Sequence, residues 1–188
     1  MDIAFHTLGC KLNFSETSFI INDIKSAGFK EVNFNDFADT YVINTCSVTE
    51  NANKECQYLV RKVLKKNPDA KIVIMGCYAQ LKPKEIKAIE GVDLILGNNE
   101  KFKLKNYLIN PTIKNDETQI IRKKTEELNE FKSAFSTGNR TRSFLKIQDG
   151  CNYKCSFCTI PLARGKSRSD TINNVISRIN KIKNTGVK

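Results

Sequence analysis

Histidine, long apolar runs and phosphate-binding glycine loops are what this sequence has little or none of, and each shortage removes a class of function. His6 is the sole histidine and stands far from the cysteine-rich stretch, so no imidazole is at hand to complete a zinc site there. The longest apolar run, "IVIMGCYA", is far shorter than a membrane span. The opening residues, "MDIAFHTLGCK", lack the basic start and apolar stretch of a secretory signal. These features predict a cytoplasmic chain with no membrane partner, in a compartment that keeps thiols reduced. No GxGxxG or Walker loop follows any strand pattern, which argues against a plain nucleotide-binding α/β domain.

What is present is cysteine and positive charge. The 188 residues include seven cysteines. In a reducing compartment an odd set of thiols points to metal ligands or reactive groups rather than to a disulfide framework. Apolar residues make up 40% and charged residues 27%, the balance of a globular chain able to bury a sizeable core. The net charge of +11 is uneven: residues 1–112 carry 15 basic and 13 acidic side chains, and residues 113–188 carry 16 and 7. A basic surplus on one part of a chain fits a polyanionic partner such as nucleic acid, and lysines kept for solubility are the plainer alternative.

Short β-branched and apolar runs at residues 2–8, 39–45, 70–75 and 92–96 predict strands buried on both faces, with a weaker strand at 31–34. Helical patterns alternate with them. Ser15 is placed to cap a helix carrying Phe19, Ile20, Ile24 and Ala27 inward and ended by Gly28, and Thr49 to open one carrying Ala52, Cys56, Leu59 and Val63. Pro83 suits the first turn of a third helix running to Gly91. This alternation predicts an α/β fold with a parallel sheet over residues 1–112. Residues 110–141 turn polar, and we place a linker at 113–136 with a short strand at Gln119–Arg122. A second unit, 137–188, is expected to hold a strand at 142–148 ("RSFLKIQ"), a cysteine loop, and a helix capped by Asp170 or Thr171 and closed by Gly186. That helix carries Ile172, Val175, Ile176, Ile179 and Ile182 on one face. One strand and one helix cannot bury their apolar faces alone, so the second unit reads as truncated.

The cysteines fall into two sets. Cys151, Cys155 and Cys158, spaced Cys-x3-Cys-x2-Cys, can ligate three irons of a cubane and leave the fourth without a protein ligand. Zinc, the alternative, wants four closed ligands, and no second Cys-x2-Cys pair supplies them. Cys10, Cys46 and Cys77 each follow an expected strand, and strand ends of a parallel sheet gather on one edge, so a second three-cysteine metal site is predicted there. Small buried hydrophobes are the alternative for single cysteines, and it is the preferred reading for Cys56 on its apolar helix face. Arg164, Lys166 and Arg168 read as phosphate contacts or as ion-pair partners of absent parts of the protein.

The loop "GCNYKCSFCTIPLARGKSRS" resembles the signature of radical S-adenosylmethionine enzymes, and with "TLGCKLNFSET", "INTCSVTENANKE" and "VIMGCYAQ" the chain resembles the methylthiotransferase family along nearly its whole length. The resemblance implies an N-terminal α/β domain, followed here by the first strand and helix of a radical S-adenosylmethionine (β/α) barrel. It implies two 4Fe-4S clusters, one on Cys10, Cys46 and Cys77 and one on Cys151, Cys155 and Cys158, with S-adenosylmethionine as cofactor and Phe157 beside its adenine. A packing role is the alternative for Phe157. The implied reaction inserts a methylthio group, and the motifs "LGCKLN" and "NTCSVT" look most like the branch that acts on threonylcarbamoyladenosine at position 37 of tRNA. The branches acting on isopentenyladenosine and on a ribosomal protein are alternatives. A rival of another class is a non-catalytic, metal-stabilised nucleic-acid-binding module. The sulfur and electron donors are not identified by the resemblance, and these residues alone are expected not to turn over substrate.

Overall fold

Runs such as "IVIM" and "YVIN" alternate side chains between two faces, and both faces must be covered for such strands to persist. In the computed structural model, which describes residues 1–46, 50–110, 117–136 and 142–184, they form the centre of a six-stranded sheet. Its strands are β1 (Asp2–Thr7), β2 (Lys30–Val32), β3 (Thr40–Thr45), β4 (Lys71–Gly76), β5 (Leu94–Leu96) and β6 (Gln119–Ile121). Their order is β2-β1-β3-β4-β5-β6 and every pair is parallel. The weak strand expected at 31–34 is β2, and the one expected at Gln119–Arg122 is β6 at the sheet's edge.

Helices cover the two faces. Ala4, Ile43, Ile72, Ile74 and Ile95 pack with Cys56, Leu59, Val60 and Val63 of α2 (Glu50–Lys66), Tyr78 of α3 (Cys77–Leu81) and Ile86 of α4 (Pro83–Lys87). Opposite, Ile3, Val42, Val73 and Met75 pack with Ile20 and Ile24 of α1 (Lys11–Ser26) and Leu104 of α5 (Leu104–Ile109), which follows a 3-10 turn at Glu100–Lys103. With α1 on one face and α2 on the other, chain direction across the sheet reverses between β1 and β3. That crevice is where ligands of open α/β sheets gather.

Several expectations are corrected. Ser15 does not cap α1, which starts four residues earlier at Lys11 with Cys10 as its N-cap; the Ser15 hydroxyl instead donates to the Leu12 carbonyl at 2.9 Å. Ala27 lies past the helix and is exposed, and Phe19 is 37% exposed, because the first half of α1 turns polar residues inward: Asn13, Ser15, Glu16, Thr17 and Ser18 are buried. Gly28 does end the helix, in the left-handed region at φ 88°. The helix opened by Pro83 stops at Lys87, short of Gly91. Thr49 and Gly186 lie outside the described residues.

Residues 142–148 form no continuous strand among the described residues. Backbone partners are found only in pieces: a bridge from Leu145 to Phe135, and the antiparallel pair β7 (Gln148–Asp149) with β8 (Arg168–Ser169). Between β7 and β8 lie the cysteine loop and α6 (Ile160–Arg164). The final helix, α7 (Ile172–Lys183), is capped by the Thr171 hydroxyl, which accepts from the Asn174 N–H. Its apolar face forms as expected and is largely exposed, Ile172 at 78%.

Candidate functional site

The carboxyl ends of β1, β3 and β4 lie side by side. Thr7 pairs with Asn44, and Thr45 with Gly76, so Cys46 and Cys77 are the next residues on neighbouring strands. The Leu8 N–H donates to the Asn44 carbonyl at 2.8 Å and carries the β1 pairing one residue further. Gly9, in the left-handed region at φ 97°, presses its backbone on Cys46; a Cβ there would stand 2.4 Å from the Cys46 Cβ and 2.8 Å from its Sγ. The residue before Cys10 therefore touches Cys46, and the sheet brings all three N-terminal cysteines to one edge. Gly76, at φ 103°, repeats the device ahead of Cys77: a Cβ would meet the Asn44 Oδ1 at 2.4 Å. Cys46 is buried, Cys77 half-buried and Cys10 exposed.

Side-chain amides fix this edge. Asn13 Nδ2 donates to the carbonyls of Leu8 and Thr45, each at 3.0 Å, tying α1 to two strand ends. Asn44 Nδ2 donates to the Asn13 carbonyl at 3.2 Å and to Thr17 Oγ1 at 2.9 Å, while its buried Oδ1 has no hydrogen-bond partner among the described residues. Cys10 is the N-cap of α1 and Cys77 the first residue of α3, and neither helix start has a side-chain cap or an acidic residue in its first turn.

In the loop, the Cys151 N–H donates to the Gly165 carbonyl and the Cys158 N–H to the Cys155 carbonyl, both at 3.1 Å. A cleft of about 590 Å³ is lined by Cys151, Asn152, Tyr153, Lys154, Pro161 and Gly165, among others. Cys155 is exposed, Cys151 and Cys158 are half-buried, and Phe157 is 88% exposed. Phe157 thus has no packing role among the described residues. Among those residues no three Cys, His, Asp or Glu side chains converge closely enough to hold a single metal ion. The thiolates of a cubane each bind a different iron and need not converge on one point. Cys56 stands apart, fully buried on α2, with burial pushing its thiol up to about 12.

A buried ionic cluster joins the two cysteine sets. Glu16 accepts from Lys101 Nζ at 2.6 Å, Lys146 Nζ at 2.7 Å and both Arg164 Nη atoms at 3.0 Å. Asp149, just before the loop, accepts from Lys146 at 2.6 Å and from Arg164 at 3.0 Å. Arg164 Nη2 also donates to Asn13 Oδ1 at 2.7 Å, linking the end of α6 to the strand-end amides. Burial alone would raise the Glu16 carboxyl; Arg164, Lys101 and Lys146 overcome it and hold the group well below the usual carboxylate range. Asn98 completes the link: its Nδ2 donates to the Ala163 carbonyl at 2.8 Å and lies 3.7 Å from Cys77 Sγ.

This overturns part of the phosphate-contact expectation. Arg164 is buried and bound to Glu16 and Asp149, both within this chain, so its charge is not presented to a phosphate at the surface. Arg168 is likewise turned inward, donating to the carbonyls of Glu130, Arg164 and Lys166 and standing 3.3 Å from Asp149 Oδ2. Only Lys166 of the three is exposed. Sequence reasoning missed Glu16, Asn98, Lys101, Lys146 and Asp149. The one local signal was Lys146, a lysine inside the otherwise apolar "FLKI".

Comparison with known proteins adds a family. Residues 2–97 match the uncharacterized protein family UPF0004. The chain is 41% identical over 191 residues to the threonylcarbamoyladenosine tRNA methylthiotransferase MtaB of Bacillus subtilis (strain 168), covering 99% of this chain and 42% of that protein. It is 37% identical over 192 residues to the MtaB of Aquifex aeolicus (strain VF5), covering 100% and 46%. The ribosomal protein uS12 methylthiotransferase RimO of Trichodesmium erythraeum (strain IMS101) is 31% identical over 187 residues, covering 99% and 42%. The chain spans less than half the length of these relatives.

Proposed function

This chain belongs to the uncharacterized protein family UPF0004, and from that membership we propose that it is part of a radical S-adenosylmethionine methylthiotransferase acting on tRNA. The proposed reaction adds a methylthio group to carbon 2 of threonylcarbamoyladenosine at position 37. The observation that carries the sulfur chemistry is the meeting of the β1, β3 and β4 ends, each followed by a cysteine, on one sheet edge. The choice of substrate is supported by the names of the MtaB relatives, which match the chain along its length.

The residues suit two thiolate-bound clusters. Cys10, Cys46 and Cys77 would hold one, with Gly9 and Gly76 letting the backbone ahead of Cys10 and Cys77 approach Cys46 and Asn44 more closely than a Cβ would allow. Cys151, Cys155 and Cys158 would hold the other, with the exposed Phe157 free to lie against the adenine of S-adenosylmethionine. When bound, such clusters supply the electron that cleaves S-adenosylmethionine and an open iron position for sulfur. The chain's own work is placement. Asn13 and Asn44 fix the sheet edge, and Glu16, Arg164 and Asp149 hold the loop unit against it. Exposed Lys166 and Lys154 are the basic groups nearest the loop for tRNA phosphates.

Mass spectrometry of tRNA nucleosides from cells lacking the gene tests the substrate. Threonylcarbamoyladenosine without its methylthio group, restored by the intact gene, is the expected result. Loss of the methylthio group from isopentenyladenosine or from a ribosomal protein would redirect the reading to those branches. Anaerobic reconstitution of the complete protein should give a brown species with two 4Fe-4S equivalents; one colourless zinc per chain would support a non-catalytic binding module instead.

A further inference from the structure

The ionic cluster is unbalanced. Lys101, Lys146 and Arg164, with side chains 0%, 0% and 4% exposed, face two carboxylates among the described residues, Glu16 and Asp149, and Arg168 adds a further cation at the rim. The rings of Phe102 and Phe131 lie 5.4 to 5.6 Å from the lysine ammoniums, which eases their burial without adding charge. A buried surplus cation is costly unless an anion is near. The surplus borders the sheet edge. Lys101 Nζ donates to Asn98 Oδ1 at 2.9 Å, and Asn98 Nδ2 lies 3.7 Å from Cys77 Sγ. A thiolate at Cys77 would be felt by both Lys101 and Arg164.

We propose that Lys101 is a positioning and tuning residue: with Arg164 it keeps a net positive charge behind Cys77, so that the Cys10, Cys46 and Cys77 edge favours an anionic, thiolate-bound centre and raises its reduction potential. The proposal rests on the two-cluster reading above. Net charge near an iron–sulfur centre is one of the quantities that sets its potential, and a nearby cation stabilises the reduced, more negative form. Glu16 is the counterweight. Leaving Arg168 at the rim aside, Lys101→Met leaves two buried cations against two carboxylates, whereas Glu16→Gln leaves three against one.

The test uses the complete protein with both clusters loaded, their content fixed by iron and sulfide analysis, and reads the two midpoint potentials by spectroelectrochemistry. Lys101→Met should lower one potential and leave the other near its wild-type value, Lys101→Arg should restore the first, and Glu16→Gln should raise it. In the cluster-free protein Lys101→Met should lower the unfolding midpoint less than Glu16→Gln, which strands three cations, so the shift in potential and not the stability is the readout that a merely structural role would not move. If Lys101→Met does not load, Lys146→Met removes the same charge from the other side of Glu16 and should move the potential in the same direction. Two loaded clusters with both potentials unmoved in these variants would overturn the proposal. A wild-type protein that binds only one cluster would instead overturn the reading on which it rests.

Discussion

At the scale of single residues, the informative ones are those whose environment contradicts their type. Glu16 is a charged residue with no exposure, and its carboxylate is the hub of three cations. Because its folded carboxyl is held below its ordinary value, its stabilising effect is complete above the usual carboxylate range and is lost as pH falls toward the depressed value. Glu16→Gln should cost roughly 3–5 kcal/mol at neutral pH by stranding its partners. Its denaturation midpoint should also fall less steeply than the wild type's on acidification from pH 7. Gly76 is the other kind of exception. At φ 103°, with a Cβ position 2.4 Å from Asn44 Oδ1 and 2.6 Å from the Thr45 carbonyl, it admits no side chain. Gly76→Ala should cost about 2–4 kcal/mol in urea denaturation, from backbone strain and overpacking together. A cost below 1 kcal/mol would mean that this turn relaxes more easily than its geometry allows.

At the scale of elements, α1 and the segment 142–148 show why periodicity misleads near a site. The inward face of α1 is apolar at Ile20 and Ile24 and polar at Asn13, Glu16 and Thr17. An apolar count therefore starts the helix where the sheet core begins and overlooks the turn that meets the ionic cluster. In 142–148 the apolar alternation is interrupted by Lys146, whose ammonium is bound to Glu16 and Asp149. The two cysteine elements also predict separate roles. On the function proposed above, Cys155→Ala in the complete protein should abolish S-adenosylmethionine cleavage, measured as deoxyadenosine release. Cys77→Ala should leave cleavage within a few-fold and stop sulfur insertion. Equal loss of cleavage in both variants would end that division of labour.

At the scale of the whole molecule, the parallel sheet gathers strand ends distant in sequence, and the ionic cluster ties the loop unit to the same edge through α6. The net charge of +11 is not all available to a partner, since Lys101, Lys146 and Arg164 are spent inside. The basic surplus of residues 113–188 thus serves two ends, internal docking and the exposed surface around Lys154 and Lys166. Among the described residues no helix is long and apolar enough to cross a membrane.

The sequence by itself determined the strand runs of the parallel sheet and the helices over 50–66 and 172–183, because burial on two faces and the helical period are written in local pattern. It could also place Cys10, Cys46 and Cys77 at strand ends. Only the tertiary structure decided that Arg164 and Arg168 turn inward, that Glu16 is buried among cations, and that Asn98 bridges Cys77 to α6. The reason is physical. An apolar residue's preference for the interior follows from its own chemistry, whereas a buried charge is stable only against a partner, and Glu16 and Arg164 lie 148 positions apart.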